Sequence, residues 1–262
     1  MPIDADIIDT YFTQGFACVP QVFTPAEMDQ ISAAFDRVYA HARRLLDDGL
    51  VAADQTFLKD GGSNFKYVPN AAGGFDVQFV SWCPGIEPVL DRYGEDARLL
   101  DIAAALLGAP EMDHLICQAH FKQPGSVVQF PWHQDATHRG MQAGRFEDIN
   151  GKGSFVQMAL ALDDMTEDNG PLMFIPESWK LGHLPIKNNG DGEIEDGHFD
   201  PATAVTPMLK RGDVALFGPY TIHGSVPNRS PNARRVFING FAYPGANKVV
   251  YDGRGAGRRV KR

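Results

Sequence analysis

The stretch Pro131–Thr137 reads PWHQDAT and sets a histidine and an aspartate two residues apart, at His133 and Asp135. An imidazole nitrogen and a carboxylate oxygen are both ligands for a first-row divalent metal. Two histidines and one carboxylate on one face of the ion leave positions open for substrate and oxygen. Spacing alone is weak: 8 His and 24 Asp in 262 residues give about 0.7 His-x-Asp pairs by chance. A second pair, His198 and Asp200 in HFD, is indeed present. Context separates the two. His133 ends the apolar, aromatic run VVQFPWHQD, expected as a strand in which residues i and i+2 share a face. His198 lies in the acidic, Gly- and Asn-rich segment KNNGDGEIEDGHFD, read as an exposed loop that holds no ligand pair rigidly.

The third ligand is expected from a later strand. His223 in GPYTIHGSVPN follows an apolar run and a Gly-Pro turn. The alternative is a core histidine bonded to a backbone carbonyl, and the residues that follow weigh against it. In NARRVFINGF, Arg234 opens the next expected strand, with Arg235 as its solvent-facing twin. A guanidinium fork pairs bidentately with a carboxylate, which a dicarboxylate chelating the metal at its other end would need.

The elements that must position these residues fall into two kinds. TPAE at Thr24–Glu27 is a capping box with proline at the first helical position. Met28, Ile31, Phe35, Val38, Ala42 and Leu45 then recur by three and four toward Gly49, which predicts one buried helix face. A second helix is expected over about 87–107, ended by Gly108. Between them LKDGGSNFKYVPNAAGG reads as an irregular polar loop that decorates the surface or covers a pocket. From Asp113 short Val-, Ile- and Phe-rich runs punctuated by Pro and Gly predict a sandwich or barrel. The expectation is one domain over 1–262: largely helical support over 1–110, a β core over 111–245 and a basic tail, 246–262, ending RGAGRRVKR as a solvated terminus.

A net charge of −9 argues against nucleic acid or an anionic membrane as the main partner. Three cysteines without CxxC spacing offer neither a disulfide framework nor a thiolate zinc site. With no signal layout and no apolar run of membrane-spanning length, a soluble cytoplasmic protein is expected. The chain carries no signal for oligomeric state.

PWHQD, DDMTEDNGPLMFIPESW and IHGSVPNRSPNARR, in that order, resemble the phytanoyl-CoA dioxygenase superfamily of Fe(II)/2-oxoglutarate-dependent oxygenases, the group that includes ectoine hydroxylase. The likeness runs from YFTQGFACVPQVFTPAEM to Phe241. It implies a mainly β fold with flanking helices, a double-stranded β-helix or cupin-type jelly roll. It also implies Fe(II), 2-oxoglutarate and O2 as cofactors, with succinate and CO2 as co-products of oxidising an unactivated C–H bond. His133, Asp135 and His223 would hold the iron, Arg234 the distal carboxylate of 2-oxoglutarate, Ser225 would assist it, and Gln118 would lie near the co-substrate. The retained Asp135 implies hydroxylation or another oxidation, not halogenation. Relatives often carry PGSH where this chain has Glu177, Ser178 and Trp179, which puts the family's usual contacts at that corner in doubt.

Lys66, Tyr67, His120, Trp132, His138, Arg139, Gln157 and Trp179 are substrate-site candidates by their nearness to these motifs, with packing or solvation an equal alternative for each. A small metabolite or natural-product intermediate fits an acidic chain better than the acyl-CoA of an acyl-CoA 2-hydroxylase. Two other classes compete: a cupin-like divalent-metal isomerase or epimerase not using O2, which has no need of Arg234, and a non-catalytic binding module, which would have lost a ligand.

Overall fold

The capping box does what its residues predict. Thr24 accepts from the Glu27 amide and the Glu27 carboxylate accepts from the Thr24 amide, starting helix α2 (Pro25–Asp47). All six apolar positions of its stripe are buried. The Phe35 ring packs against Phe121 and Phe237 of the sheet beneath. Two further helices, α1 (Ala5–Gln14) and α4 (Ala97–Leu107), pack into the same apolar layer. The computed structural model describes residues 3–52, 55–250 and 255–262.

The layer beneath the helices is a nine-stranded sheet. Its strands are β1 (Phe16–Val19), β2 (Phe57–Asp60), β3 (Ser63–Pro69), β4 (Phe75–Ser81), β5 (Glu111–Lys122), β7 (Phe155–Ala161), β9 (Val214–Phe217), β11 (Arg234–Ala242) and β12 (Arg258–Lys261). The order is β1-β9-β7-β11-β5-β4-β3-β2, with β12 beside β4 on the same edge of β5. A smaller sheet, β6 (Phe130–His133), β10 (His223–Ser225) and β8 (Met173–Phe174) in the order β6-β10-β8, faces it. Among the described residues every strand pairing is antiparallel. This is the two-sheet jelly roll of a double-stranded β-helix.

Alternation divides each strand of the large sheet between two layers. On β5, Cys117, Ala119 and Phe121 face the helices, while Ile116, Gln118, His120 and Lys122 face the smaller sheet. Directly opposed residues share a face, so the registers draw rows across this inner surface. One row runs Lys59–Asn64–Ser81–Gln118–Ile238 and the next Phe57–Lys66–Phe79–His120–Val236. Lys122 and Arg234 form the last.

Four features depart from the sequence reading. The segment expected as an irregular loop is the β2–β3 hairpin and the turn that leads into β4. Its inner-face residues are polar, so alternation that is clear in burial (Ser63, Phe65 and Tyr67 buried) is blurred in hydropathy. The single helix expected over 87–107 is two, α3 (Val89–Gly94) and α4, because the Asp96 side chain caps a fresh start by accepting from the Arg98 amide. The residues 1–110 therefore carry four strands as well as helices. Finally, the tail is not a solvated terminus over its described part. β12 pairs with β5, and Arg258, Arg259 and Arg262 meet Asp91, Asp113 and Asp101. Its basic residues match an acidic surface.

Candidate active site

Two strands of the smaller sheet bring the metal candidates together. His133 ends β6 and stands opposite His223 of β10, with ring centroids 4.2 Å apart. Asp135 is not on the strand, as the i, i+2 argument supposed. Gln134 ends the extended backbone and Asp135 opens a four-residue helix, α5 (Asp135–His138). The turn still swings its carboxylate toward the two imidazoles. One ligand atom from each of His133, Asp135 and His223 lies within 4.8 Å of the others, and all three residues are buried. Among the described residues no other group of His, Cys, Asp and Glu meets that geometry. His198 pairs with Glu195 at 3.9 Å, and Asp200 caps the turn Pro201–Thr203.

The donor set fits a divalent metal. Nδ1 of His133 lies 2.7 Å from the Pro131 carbonyl oxygen and Nδ1 of His223 2.9 Å from that of Thr221. A carbonyl only accepts, so each Nδ1 carries the proton and each Nε2 lone pair is free to ligate. Burial pushes the His223 imidazole well below its usual range, which keeps it neutral. Asp135 Oδ2 is buried with no partner. A bare carboxylate oxygen in that position is costly unless a cation meets it.

Two residues beyond His223 on the same face, Ser225 leads to a second polar group. Lys122 donates to Ser225 Oγ at 2.7 Å and to the Val226 carbonyl. Arg234 donates to the Gly170 carbonyl at 2.6 Å and reaches Ser225 Oγ at 3.5 Å, while its Nε has no partner. Gly170 has a positive φ, and a Cβ there would collide with the Val226 carbonyl. Lys122 and Arg234 are 1% and 2% exposed, and no carboxylate bonds either. Burial and the neighbouring Arg234 charge push the Lys122 ammonium down to about 5, and burial pushes the Arg234 guanidinium down to about 9. A dehydrated lysine, its charge held off by burial, and a dehydrated guanidinium, neither bonded to a carboxylate, form a receptor that an incoming anion completes. Sequence reading missed Lys122. The one local hint is its alternation with Gln118 and His120, which does not tell a strand end in solvent from one beneath a second sheet.

The remaining candidates divide. His120 stacks on Phe79 at 5.2 Å, and Nε2 lies 2.9 Å from Gln118 Oε1. Burial first, then the charges of Arg234, Lys122 and His133, push it down to about 3, so it is neutral. Gln118 also donates to Ser81 Oγ at 3.0 Å. No described hydrogen bond joins it to the Lys122–Arg234–Ser225 group. Instead it lines two adjoining cavities of about 360 and 630 Å³, which share Asn64 and Ser81. Gln157, on the inner face of β7, leaves Oε1 buried and unpartnered. His138 and Arg139 line the smaller cavity, with the His138 ring 5.2 Å from that of His133. Lys66 is on the inner face but engages Thr56 Oγ1 at 3.0 Å and the Phe57 ring.

Three expectations are corrected. Trp132 alternates with His133 and packs away from it, against Phe199 and the small cluster around Ile194 and Ile222. Trp179 is 39% exposed and donates to the Thr13 carbonyl at the end of α1. Tyr67 is a core residue whose hydroxyl donates to the Ala42 carbonyl.

A jelly roll with two histidines and a carboxylate at one mouth defines a non-haem metal oxygenase scaffold, and comparison with known proteins agrees. The family model "Phytanoyl-CoA dioxygenase (PhyH)" matches residues 11–236. Ectoine dioxygenase of Bordetella parapertussis is 25% identical over 245 residues, covering 87% of this chain and 72% of that protein. The crystal structure of EvdO2 from Micromonospora carbonacea var. aurantiaca with 2-oxoglutarate superposes with a TM-score of 0.68 at 22% identity, covering 94% of each chain. The alpha-ketoglutarate-dependent epimerase SnoN from nogalamycin biosynthesis superposes at 0.62 and 21% identity, covering 90% of this chain and 82% of SnoN. The chain belongs to the phytanoyl-CoA dioxygenase family. It is an Fe(II)/2-oxoglutarate-dependent oxygenase. Among the described residues no helix is long and apolar enough to cross a membrane.

Proposed function

We infer that the protein hydroxylates an unactivated C–H bond of a small metabolite, with succinate and CO2 as co-products. The observation that carries this reading is the pairing of two unsatisfied features on one strand. His223 of β10 belongs to a metal-ligand trio with an orphaned carboxylate oxygen, and Ser225, two residues on, touches a buried lysine and arginine that bond no carboxylate.

His133, Asp135 and His223 would hold Fe(II), which when bound supplies the oxygen activation that no side chain can perform. Two strand residues span about 7 Å. A five-carbon diacid chelated at one end therefore brings its far carboxylate to Lys122, Arg234 and Ser225. The Ser225 hydroxyl, the Arg234 guanidinium and Lys122, recharged by the incoming anion, fix that carboxylate, and the Gly170 and Val226 carbonyls hold both side chains in place. His120, neutral and sandwiched between the Phe79 and Phe130 rings, separates the co-substrate end from the cavities and excludes water. The substrate enters from the side of Gln118, Ser81 and Asn64. Retention of Asp135 keeps a carboxylate where a halide would otherwise bind, which favours hydroxylation over halogenation.

The test is anaerobic addition of Fe(II) and 2-oxoglutarate. A metal-to-ligand charge-transfer band is expected, followed on admission of oxygen by succinate formation that a metabolite pool stimulates. Absence of both band and succinate, with zinc supporting some other activity, would overturn the assignment.

A further inference from the structure

The smaller cavity begins one helical turn from the metal trio. Arg139 follows α5, and its amide donates to the Asp135 carbonyl at 2.9 Å. Residues four apart on a helix project to one side, yet the two side chains do not pair. Asp135 Oδ2 is left bare and so is the buried Arg139 Nε. Arg139 and Arg145 both line the cavity, together with Asn64, Ser81, Gln118 and Thr137. The Arg145 stem lies against Gly140, where a Cβ would meet Arg145 Cβ at 3.0 Å, and the Arg145 amide donates to the Gly140 carbonyl. Both arginines thus leave the same closed turn.

Many arginines elsewhere on this acidic chain are matched by carboxylates, while Arg44 and Arg92 bond neutral groups. Arg37, Arg98, Arg211, Arg235, Arg258 and Arg259 each meet a carboxylate. No described hydrogen bond or ion pair occupies the guanidinium of Arg139 or Arg145. Two uncompensated guanidinium groups beside a row of amides and hydroxyls form a receptor for an oxyanion whose remaining atoms make polar contacts. A space of about 360 Å³ is of the size that takes a small molecule.

We propose that the primary substrate is a small organic oxyanion, a carboxylate or phosphonate, anchored by Arg139 and Arg145. Gln118, Ser81 and Asn64 bind its polar groups, and the carbon to be oxidised points back toward His133, Asp135 and His223. This rests on the oxygenase reading above and adds the substrate class to it. The co-substrate and the substrate then occupy two separate cationic receptors, Lys122 with Arg234 on one side of His120 and Arg139 with Arg145 on the other.

The experiment uses the anaerobic holoenzyme, loaded with Fe(II) and saturated with 2-oxoglutarate so that the Lys122–Arg234 receptor is filled. Calorimetry follows a panel of small carboxylates and alkylphosphonates, each paired with its neutral amide or ester. One acid arm is expected to bind at least about tenfold more tightly than its neutral partners, and which arm it is tells carboxylate from phosphonate. Arg139→Gln, and separately the more exposed Arg145→Gln, should erase that preference. The 2-oxoglutarate isotherm of each variant serves as the control for folding. Neutral partners binding as well as the acids, no binding in either arm, or a preference that survives both substitutions would overturn the substrate class. A wild-type protein with no 2-oxoglutarate isotherm would instead overturn the oxygenase reading.

Discussion

The two faces of β5 make the most instructive contrast in the molecule. Toward the helices it presents Cys117, Ala119 and Phe121, all buried in a continuous apolar layer with α2 and α4. Toward the smaller sheet the same strand presents the half-buried Gln118 and then His120 and Lys122, buried but polar. Neighbouring residues with the same burial do opposite things. The outer face stabilises by excluding water from apolar surface. The inner face forgoes that stabilisation and keeps a lysine dehydrated without a counterion. Buried polarity without a partner is the mark of a site awaiting a ligand.

That contrast can be broken at adjacent residues. Phe121→Ala removes a side chain packed on Phe35 and Tyr39 and is expected to cost about 3–5 kcal/mol of stability. Chemical denaturation measures this, and 2-oxoglutarate affinity in the remaining folded protein should hold. Lys122→Met is expected to have the opposite sign, stabilising by about 1–4 kcal/mol because a side chain that must give up its charge and its hydration on burial is replaced by an apolar group of similar length. The folded Lys122 value of about 5 lies below the ordinary 10.5. The unfolded chain therefore holds the extra proton between those limits, and wild-type stability rises with pH across that window. The gap between Lys122→Met and wild type should narrow accordingly. The same variant should bind 2-oxoglutarate about tenfold or more weakly. It should also lose a pH effect: if binding recharges Lys122, wild-type affinity falls as pH climbs above about 5, by at most about tenfold per unit. Equal stability and equal affinity in Lys122→Met would erase the distinction between the faces.

The smallest effect lies at the surface. The Arg98 hydrogen bond, then the Thr24 amide, hold the Glu27 carboxyl down at about 2. Its folded value is below its unfolded one, so its contribution is present above about pH 4.5 and is lost as pH falls toward 2. Glu27→Gln should cost under about 1 kcal/mol at pH 7 and nothing at pH 2, read from melting temperatures. A difference that persists at pH 2 would place its origin in the cap geometry and not in charge.

Legibility in the sequence followed the same division of faces. The α2 stripe was readable because its apolar residues recur at helical spacing and its start has an explicit cap. The β2–β3 hairpin was not, because residues that face a cavity are polar, and alternation between polar inner and apolar outer positions of a half-exposed hairpin resembles a loop. At the site, His133, Asp135 and His223 could be named from motif order, and Arg234 from its place at a strand start. Lys122 was passed over because nothing local distinguishes a lysine that ends a strand in solvent from one that ends it beneath a second sheet. Trp132 and Trp179 were nominated by proximity along the chain, which says nothing about the side to which a ring turns.

Local chemistry settled the types of elements and the identities of the ligands, since caps, periodicity and ligand-capable side chains are properties of short segments. Convergence was decided only by the fold. The meeting of β6 with β10 and the pairing of Lys122 with Arg234 join residues some 90 to 110 positions apart, and the turn after β6 brings Asp135 to His223 across a similar distance in sequence. Such contacts depend on how two sheets close over one another, and no window of sequence contains that information.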